Sequence, residues 1–175
     1  MTESYYIVPA IDVFPESIYI RKGVYFMQTS YEINSSTLAI IPLSKNNSKV
    51  IEEDEIITVS KTTTEIIDDS CKFFGSSYLG RHEGTKNIIG VNYKAPIVVE
   101  ETNEIIFFPT SSPRFDNCSW IALKKISKYK KEKGKTIIIF KNGYELPVSI
   151  STGSLENQIL RSTLLESVLR SRKIS

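Results

Sequence analysis

Short runs of β-branched and aromatic residues alternate with turn-forming residues over the first third of the chain. Such side chains fit a pleated, half-buried surface and so favour strands. Proline, glycine and polar residues separate the runs, and SKNNS at residues 44–48 is typical of a turn. We predict strands at residues 5–8, 17–20, 24–27, 37–41 and 56–59.

The pattern continues in the second half of the chain. Strands are predicted at residues 95–99 and 104–108, joined by a polar turn at residues 101–103, and at residues 119–126 and 136–141. Asn142-Gly143 predicts a type I′ turn that joins the last of these to residues 144–150. Ser76 or Ser77 is placed to cap a short helix that ends near Ile89, although three glycines weaken this pattern.

Residues 154–172 carry the strongest helical pattern. Ser154 is the predicted N-cap, Glu156 falls in the predicted first turn, and basic residues near the end complement the helix dipole. The apolar residues of this segment fall on one helical face, which belongs either to the core or to a dimer interface. They are Leu155, Ile159, Leu160, Leu164, Leu165, Val168 and Leu169.

Together these elements predict an α+β fold. We expect a β-rich single domain, with its strands in one sheet or two small sheets, that ends in a C-terminal amphipathic helix. A chain of 175 residues is long enough to bury a core without disulfides or metal. Charge suggests a further division into an acidic β-rich subdomain at residues 1–67 and a basic core at residues 71–150.

The formal net charge of +2 hides this asymmetry. Residues 1–70 hold five basic and eleven acidic side chains, a balance of −6, whereas residues 71–175 hold seventeen and nine, a balance of +8. Segregated charge of this kind steers a polyanion, most plainly a nucleic acid, toward one side of a protein.

Two segments of the basic half carry candidate phosphate contacts. KKISKYKKEKGK at residues 124–135 holds seven lysines and one glutamate. Lysine is a mobile point charge that suits phosphates, but the same run is also typical of a solvated loop between two strands. GRHEGTK at residues 80–86 combines two glycines with Arg81, His82 and Lys86, which fits either a phosphate-contacting segment or an ordinary basic turn.

The sequence lacks the residue patterns that metal binding, cofactor binding or catalysis requires. His82 is the one histidine, Cys71 and Cys118 lie 47 positions apart, and no zinc-ligand spacing or phosphate-binding glycine motif occurs. We therefore predict no metal, no cofactor and no enzyme activity, and we interpret both cysteines as buried. The opening residues lack a basic signal region, and no apolar run is long enough to span a bilayer, so we expect an intracellular protein without membrane contact.

Several longer motifs add a family resemblance. CKFFGSSYLGRHEGTK, KAPIVVE, IIFFPTSSPR and CSWIAL lie within residues 70–125. In this stretch the chain closely resembles the competence transcription factor family (ComK-type) of Gram-positive bacteria. The resemblance implies a cytoplasmic, nucleoid-associated activator of DNA-uptake genes that binds paired A+T-rich boxes as an oligomer, largely through the minor groove.

The implied partners are A+T-rich double-stranded DNA, further copies of the chain, RNA polymerase and a regulatory adaptor. Minor-groove contact is expected from Arg81 and Lys86, with His82 and Arg114, because narrow grooves attract cations. The expected DNA-binding residues are Arg81, His82, Lys86, Lys94, Arg114, Lys124, Lys125, Lys128, Lys130 and Lys131.

Two alternatives from other functional classes stay open at this point. The first is a protein-interaction module whose basic face binds an acidic protein, which would lack the steep salt dependence of DNA binding. The second is a small enzyme that uses Cys71 as a nucleophile and His82 as its base, a pairing that residue type alone allows.

Overall fold

The computed structural model describes residues 27–174, and the strands predicted at residues 5–8 and 17–20, with all but the last residue of that at 24–27, lie outside them. Ten strands, three α-helices and one 3-10 turn (Leu123–Lys125) occur in the described part. In chain order they are β1 (Met27–Gln28), β2 (Thr37–Ser44), β3 (Asn47–Glu52), β4 (Ile56–Val59), α1 (Thr63–Phe73), α2 (Tyr78–Ile89), β5 (Ile97–Glu100), β6 (Ile105–Pro109), β7 (Trp120–Ala122), β8 (Ile126–Glu132), β9 (Lys135–Phe140), β10 (Glu145–Val148) and α3 (Thr152–Ile174).

The strands form two sheets. The larger has seven strands in the order β1-β4-β3-β2-β7-β6-β5, and the smaller has three in the order β10-β9-β8. Except for the parallel β1–β4 pair, neighbouring strands are antiparallel. Strands from both halves of the chain share the large sheet, because β2 pairs with β7. The predicted α+β fold with a C-terminal helix is confirmed.

Each face of the large sheet is covered by a different layer. On one face Ile40, Phe107 and Trp120 pack against Ile66 and Cys71 of α1. On the other face a second apolar cluster joins the large sheet to the small sheet and to the start of α3; it contains Leu38, Ile51, Phe108, Ile121, Ile138, Phe140, Leu146 and Leu155. The large sheet is therefore the central layer, and every outer element is anchored to it.

Helix α1 is not among the elements that the sequence pattern predicts. The Thr62 side chain accepts a hydrogen bond from Glu65 N, while the Glu65 carboxylate accepts one from Thr62 N. This reciprocal capping box satisfies two N–H groups that the first helical turn leaves unpaired. The Thr62-x-x-Glu65 spacing was the available signal.

Helix α2 confirms the predicted cap and end. Ser77 Oγ accepts a hydrogen bond from Gly80 N, and Gly90 terminates the helix in the left-handed conformation at φ 71°. Glycine adopts that conformation without steric cost, which explains the clean stop after Ile89. Thr85 is buried and donates to the carbonyl of Pro96, which holds α2 beside edge strand β5.

The start of α3 differs from the prediction. The helix begins at Thr152, and Ser151 Oγ accepts a hydrogen bond from Ser154 N at 3.1 Å, so Ser151 caps it rather than Ser154. Glu156 consequently lies beyond the first turn, which has no acidic residue. The buried stripe is Leu155, Gln158, Ser162 and Leu165, whereas Leu160 and Leu164 are exposed. The predicted apolar face is thus wrong in part, because two polar residues replace two leucines against the sheet.

The lysine-rich segment is not a loop. Residues 126–132 form β8, which pairs with β9 through a short turn at Lys133-Gly134. The strand predicted at residues 119–126 is split, since β7 ends at Ala122 and a 3-10 turn follows.

The hairpin joining β9 to β10 is confirmed, but its turn type is wrong. Gly143 N donates to Phe140 O at 2.9 Å, and Gly143 has φ 90° whereas Asn142 has no positive φ. A type I′ turn needs positive φ at both central residues, so a three-residue loop with glycine last forms instead.

Candidate nucleic-acid interface

The antiparallel register gives the large sheet two chemically different ends. The turn after β3 (residues 53–55), the turn after β5 (residues 101–104) and the segment after β7 (residues 123–125) lie at one end. We call this end the acidic end and include in it Glu52 and Glu100, the last residues of β3 and β5. Its acidic side chains are Glu52, Glu53, Asp54, Glu55, Glu100, Glu101 and Glu104.

At the opposite end lie the turn after β2 (residues 45–46), the loop before β5 (residues 90–96) and the loop between β6 and β7 (residues 110–119). This end is called the loop end. Within those segments its basic side chains are Lys45, Lys94 and Arg114, and its acidic side chain is Asp116. The sheet therefore separates positive and negative charge along its strands.

Cations at the acidic end are already paired. Lys125 Nζ lies 2.6 Å from Glu53 Oε1, and Lys124 Nζ contacts Glu104. Arg170 on α3 donates two hydrogen bonds, of 2.9 and 2.7 Å, to Glu104. The Arg170 and Lys124 contacts lower the pKa of Glu104 to about 2. Contact of Lys124 and Lys125 with phosphate stays a prediction. Because both lysines are paired with carboxylates, the interface that we propose does not include them.

Arg81 also has an intramolecular partner. Its guanidinium forms an ion pair with Glu101, and its side chain is only 17% exposed. The Arg81 Nε is buried and lacks a hydrogen-bond partner among the described residues. To enter a minor groove, Arg81 would have to exchange Glu101 for the DNA.

His82 and Lys86 lie one turn apart on α2. His82 Nε2 donates to the carbonyl of Asn92 at 3.0 Å, and its ring lies 5.9 Å from the ring of Tyr78. His82 therefore holds the loop at residues 90–96 in place. Lys86 is exposed and forms no ion pair within the described residues.

Lys94 and Arg114 lie on the two loops of the loop end, and each adjoins an exposed aromatic residue that sequence reasoning missed. Tyr93 is 64% exposed and Phe115 is 61% exposed. Lys94 Nζ lies 5.4 Å from the centroid of the Tyr93 ring, a cation–π contact that displays ring and charge together. The signal in the sequence was the pair of dipeptides Tyr93-Lys94 and Arg114-Phe115.

The β8–β9 hairpin, which we call the lysine hairpin, presents its cations on two faces. Lys128 pairs in register with Ile139 and Lys130 with Ile137, whereas Lys131 pairs with Thr136. Directly paired residues point to the same side of a sheet, so Lys128 and Lys130 share the outer face and Lys131 takes the other. Lys130 has carboxylate partners at 3.2 Å and 3.5 Å. Lys128, Lys131, Lys133 and Lys135 form no ion pair within the described residues.

Contacts beyond its base and near its middle orient the lysine hairpin. Asn142, beyond its base, donates to the carbonyl of Glu53 at the acidic end. Tyr129, near its middle, donates to Glu156 of α3 at 2.8 Å. Gln158, two residues further along α3, donates to the carbonyls of Lys94 and Pro109 at the loop end. The hairpin therefore runs from the acidic end toward the loop end, and its lysine-rich tip lies on the loop-end side.

The nucleophile alternative is contradicted by the site. Burial raises the pKa of the Cys71 thiol to about 11, and the side chain has no exposed surface. His82 contacts Tyr78 and Asn92 rather than Cys71. A buried, protonated thiol without a base is a poor nucleophile. Within residues 27–174 no cluster of three metal-ligating side chains forms, and none of the helices there is long and apolar enough to cross a bilayer.

Comparison with known proteins places the chain in a family. The ComK protein family matches residues 28–174, nearly all of the part that the structure describes. A competence transcription factor from Bacillus subtilis (strain 168) is 38% identical over 147 residues, which cover 82% of this chain and 77% of the relative. No solved structure matches. The chain belongs to the ComK family, and that membership assigns it to the competence transcription factors.

Proposed function

We propose that this protein is a sequence-specific DNA-binding activator of competence genes. It binds paired A+T-rich boxes largely through the minor groove and the phosphate backbone. The observation that carries the proposal is the lysine hairpin of a ComK-family chain, whose tip concentrates unpaired cations on the loop-end side. Such cations release counterions from DNA, and this release drives much of the affinity for a duplex.

The DNA contacts divide by role. Lys128, Lys131, Lys133 and Lys135 of the lysine hairpin bind phosphates. Lys86 on α2, with Lys94 and Arg114 on the loops, lies nearer the groove. Lysine contacts position the protein without reading sequence, so preference for A+T-rich sites comes from groove width and duplex deformability. Arg81 joins the groove contacts by exchanging Glu101 for DNA.

Two boxes call for two or more copies of the chain. A two-fold arrangement of protomers reads paired sites, because symmetry repeats the same surface. The exposed residues Leu160 and Leu164 of α3 leave this helix available for such contact. The acidic turn at residues 53–55 faces away from DNA, toward RNA polymerase or a regulatory adaptor, and the protein acts in the cytoplasm on the nucleoid.

Fluorescence anisotropy of a labelled duplex tests the proposal. The duplex carries two A-tract boxes, a G+C-rich duplex of equal length is the control, and each is titrated at several salt concentrations. We expect tighter binding to the A-tract duplex and a steep fall of affinity with salt. Absence of binding at low salt contradicts the proposal and favours an acidic protein partner for the basic surface.

A further inference from the structure

The exposed aromatic residues of the loop end stand on loops that are unusually well fixed. In the loop at residues 90–96, side chains of α2 and α3 donate to four carbonyl oxygens. His82 binds that of Asn92, Arg161 that of Tyr93, Gln158 that of Lys94, and Thr85 that of Pro96. These contacts hold Lys94 in the left-handed conformation at φ 52°, which is costly for a residue with a side chain.

The loop at residues 110–119 is fixed in the same manner. Phe115 N donates to Ser112 O at 2.9 Å, and Cys118 N donates to Phe115 O at 3.2 Å. Thr64 of α1 donates to the carbonyl of Pro113 at 3.2 Å. The ring of Phe115 is nevertheless exposed, so the fold orders the backbone of this loop and leaves its largest apolar side chain in solvent.

The two loops lie side by side. The amide of Gln158 joins one loop to the residue that precedes the other, since it donates to Lys94 O at 3.1 Å and, at 2.6 Å, to the carbonyl of Pro109, the last residue of β6. The loop end of the sheet thus presents two exposed rings, each next to a cation in the sequence.

We propose that Tyr93 and Phe115 are wedge residues that insert against unstacked bases of the bound duplex. This inference rests on the proposed function. Charge complementarity selects the occupant, because Lys94 and Arg114 attract a polyanion while the two rings need flat apolar surfaces. Nucleic acid offers both, and minor-groove proteins insert apolar wedges at base steps beside such cations. The pyrimidine–purine steps of A+T-rich DNA are the easiest to unstack.

The test uses a two-box duplex with 2-aminopurine in place of one adenine at a TA step. Unstacking raises 2-aminopurine fluorescence, and anisotropy on the same duplex gives affinity and salt slope. The variants are Tyr93→Ala and Phe115→Ala, with Tyr93→Phe and Phe115→Trp to restore a ring. Phe73→Ala is the matched control, since Phe73 is 67% exposed but ends α1 on the far side from the loop end.

We expect the wild-type protein to raise the fluorescence. Each alanine variant should lose most of that rise and bind about 5- to 100-fold more weakly, the range that loss of one base–aromatic stack gives. The salt slope should not change, because a ring releases no counterions. Tyr93→Phe, Phe115→Trp and Phe73→Ala should behave as the wild type.

Two contrary outcomes are distinguishable. If the wild-type protein binds the duplex with steep salt dependence and both alanine variants match it in affinity and fluorescence, the wedge role is wrong while the proposed function stands; the rings then serve a protein contact. If the wild-type protein binds no duplex, the proposed function fails and the wedge role fails with it.

Discussion

The two ends of the large sheet differ in whether their cations pair with carboxylates of the same chain. At the acidic end, Glu53 pairs with Lys125, and Glu104 pairs with Lys124 and Arg170. These charges are therefore neutralised within the molecule. At the loop end, Lys94 and Arg114 form no ion pair within the described residues, and both adjoin exposed rings. We therefore expect the cations without carboxylate partners, and not every basic residue of the sequence, to form the proposed interface.

The same comparison applies to hydrogen bonds. The acidic end uses partly exposed side-chain pairs, which contribute little each in solvent, and the buried Glu100 carboxylate, which accepts from Thr102 N and Asn103 N of the turn. The loop end uses buried donors, above all Gln158, to fix backbone carbonyls beneath an exposed surface. A rigid loop loses little conformational freedom on binding, so this end is pre-organised for a ligand.

The largest expected effect concerns the lysine hairpin. Replacing Lys128, Lys131 and Lys135 together with alanine should weaken binding to every duplex by about tenfold or more, and flatten the salt slope by roughly 0.9 for each lost phosphate contact. Anisotropy over a salt series measures both quantities. The matched control is Lys124→Ala with Lys125→Ala, which removes cations that are already paired. Equal losses in the two variants would show that paired and unpaired lysines contribute alike.

A smaller effect is expected from Gln158→Ala. The substitution leaves two carbonyls at the loop end without their donor, and an unsatisfied buried polar group costs about 1–3 kcal/mol. Urea denaturation should show a lower free energy of unfolding, and duplex affinity should also fall although Gln158 is buried away from DNA. Asn157→Ala removes an exposed amide one position earlier and should leave both unchanged. Unchanged stability in Gln158→Ala would contradict the bridging role.

The smallest effect concerns pH at the acidic end. Arg170 and Lys124 lower the pKa of Glu104 from its ordinary value of 4.5 to about 2. A lowered pKa in the folded state stabilises the fold above pH 4.5, and that stabilisation is lost as pH falls from 4.5 toward 2. Glu104→Gln should flatten the stability profile in that window and leave duplex affinity at neutral pH unchanged. Glu83→Gln, which alters an exposed carboxylate without an ion pair in the described residues, should keep the wild-type profile.

Strand patterns predicted the large sheet well, because buried β-branched and aromatic runs such as residues 95–99 and 104–108 leave few alternatives. Helix α1 was missed because five of its eleven residues are Thr, Asp or Ser, which are weak helix formers, and only its capping box marks the start. The inward face of α3 was only partly predictable, since Gln158 is buried for hydrogen bonds that only the tertiary structure reveals, and the buried Ser162 donates to the carbonyl of Gln158 within its own helix.

The sequence predicted which residue types form the candidate site, but not which of its cations pair with carboxylates. Sequence identifies Lys124 and Lys128 as equivalent cations, yet one lies beside Glu104 and the other lacks a carboxylate partner within the described residues. Likewise, the sequence holds several exposed aromatic residues, and only the topology shows that Tyr93 and Phe115 share one end of the sheet. Such pairings depend on strand register, which local patterns do not determine.

Hydrogen–deuterium exchange with and without the two-box A-tract duplex tests the central claim most directly. We predict slower amide exchange on DNA binding at residues 90–96, 110–119 and 128–136, with no change at residues 52–55. Slower exchange at residues 52–55, with the loops and the lysine hairpin unaffected, would contradict the assignment of DNA to the loop end.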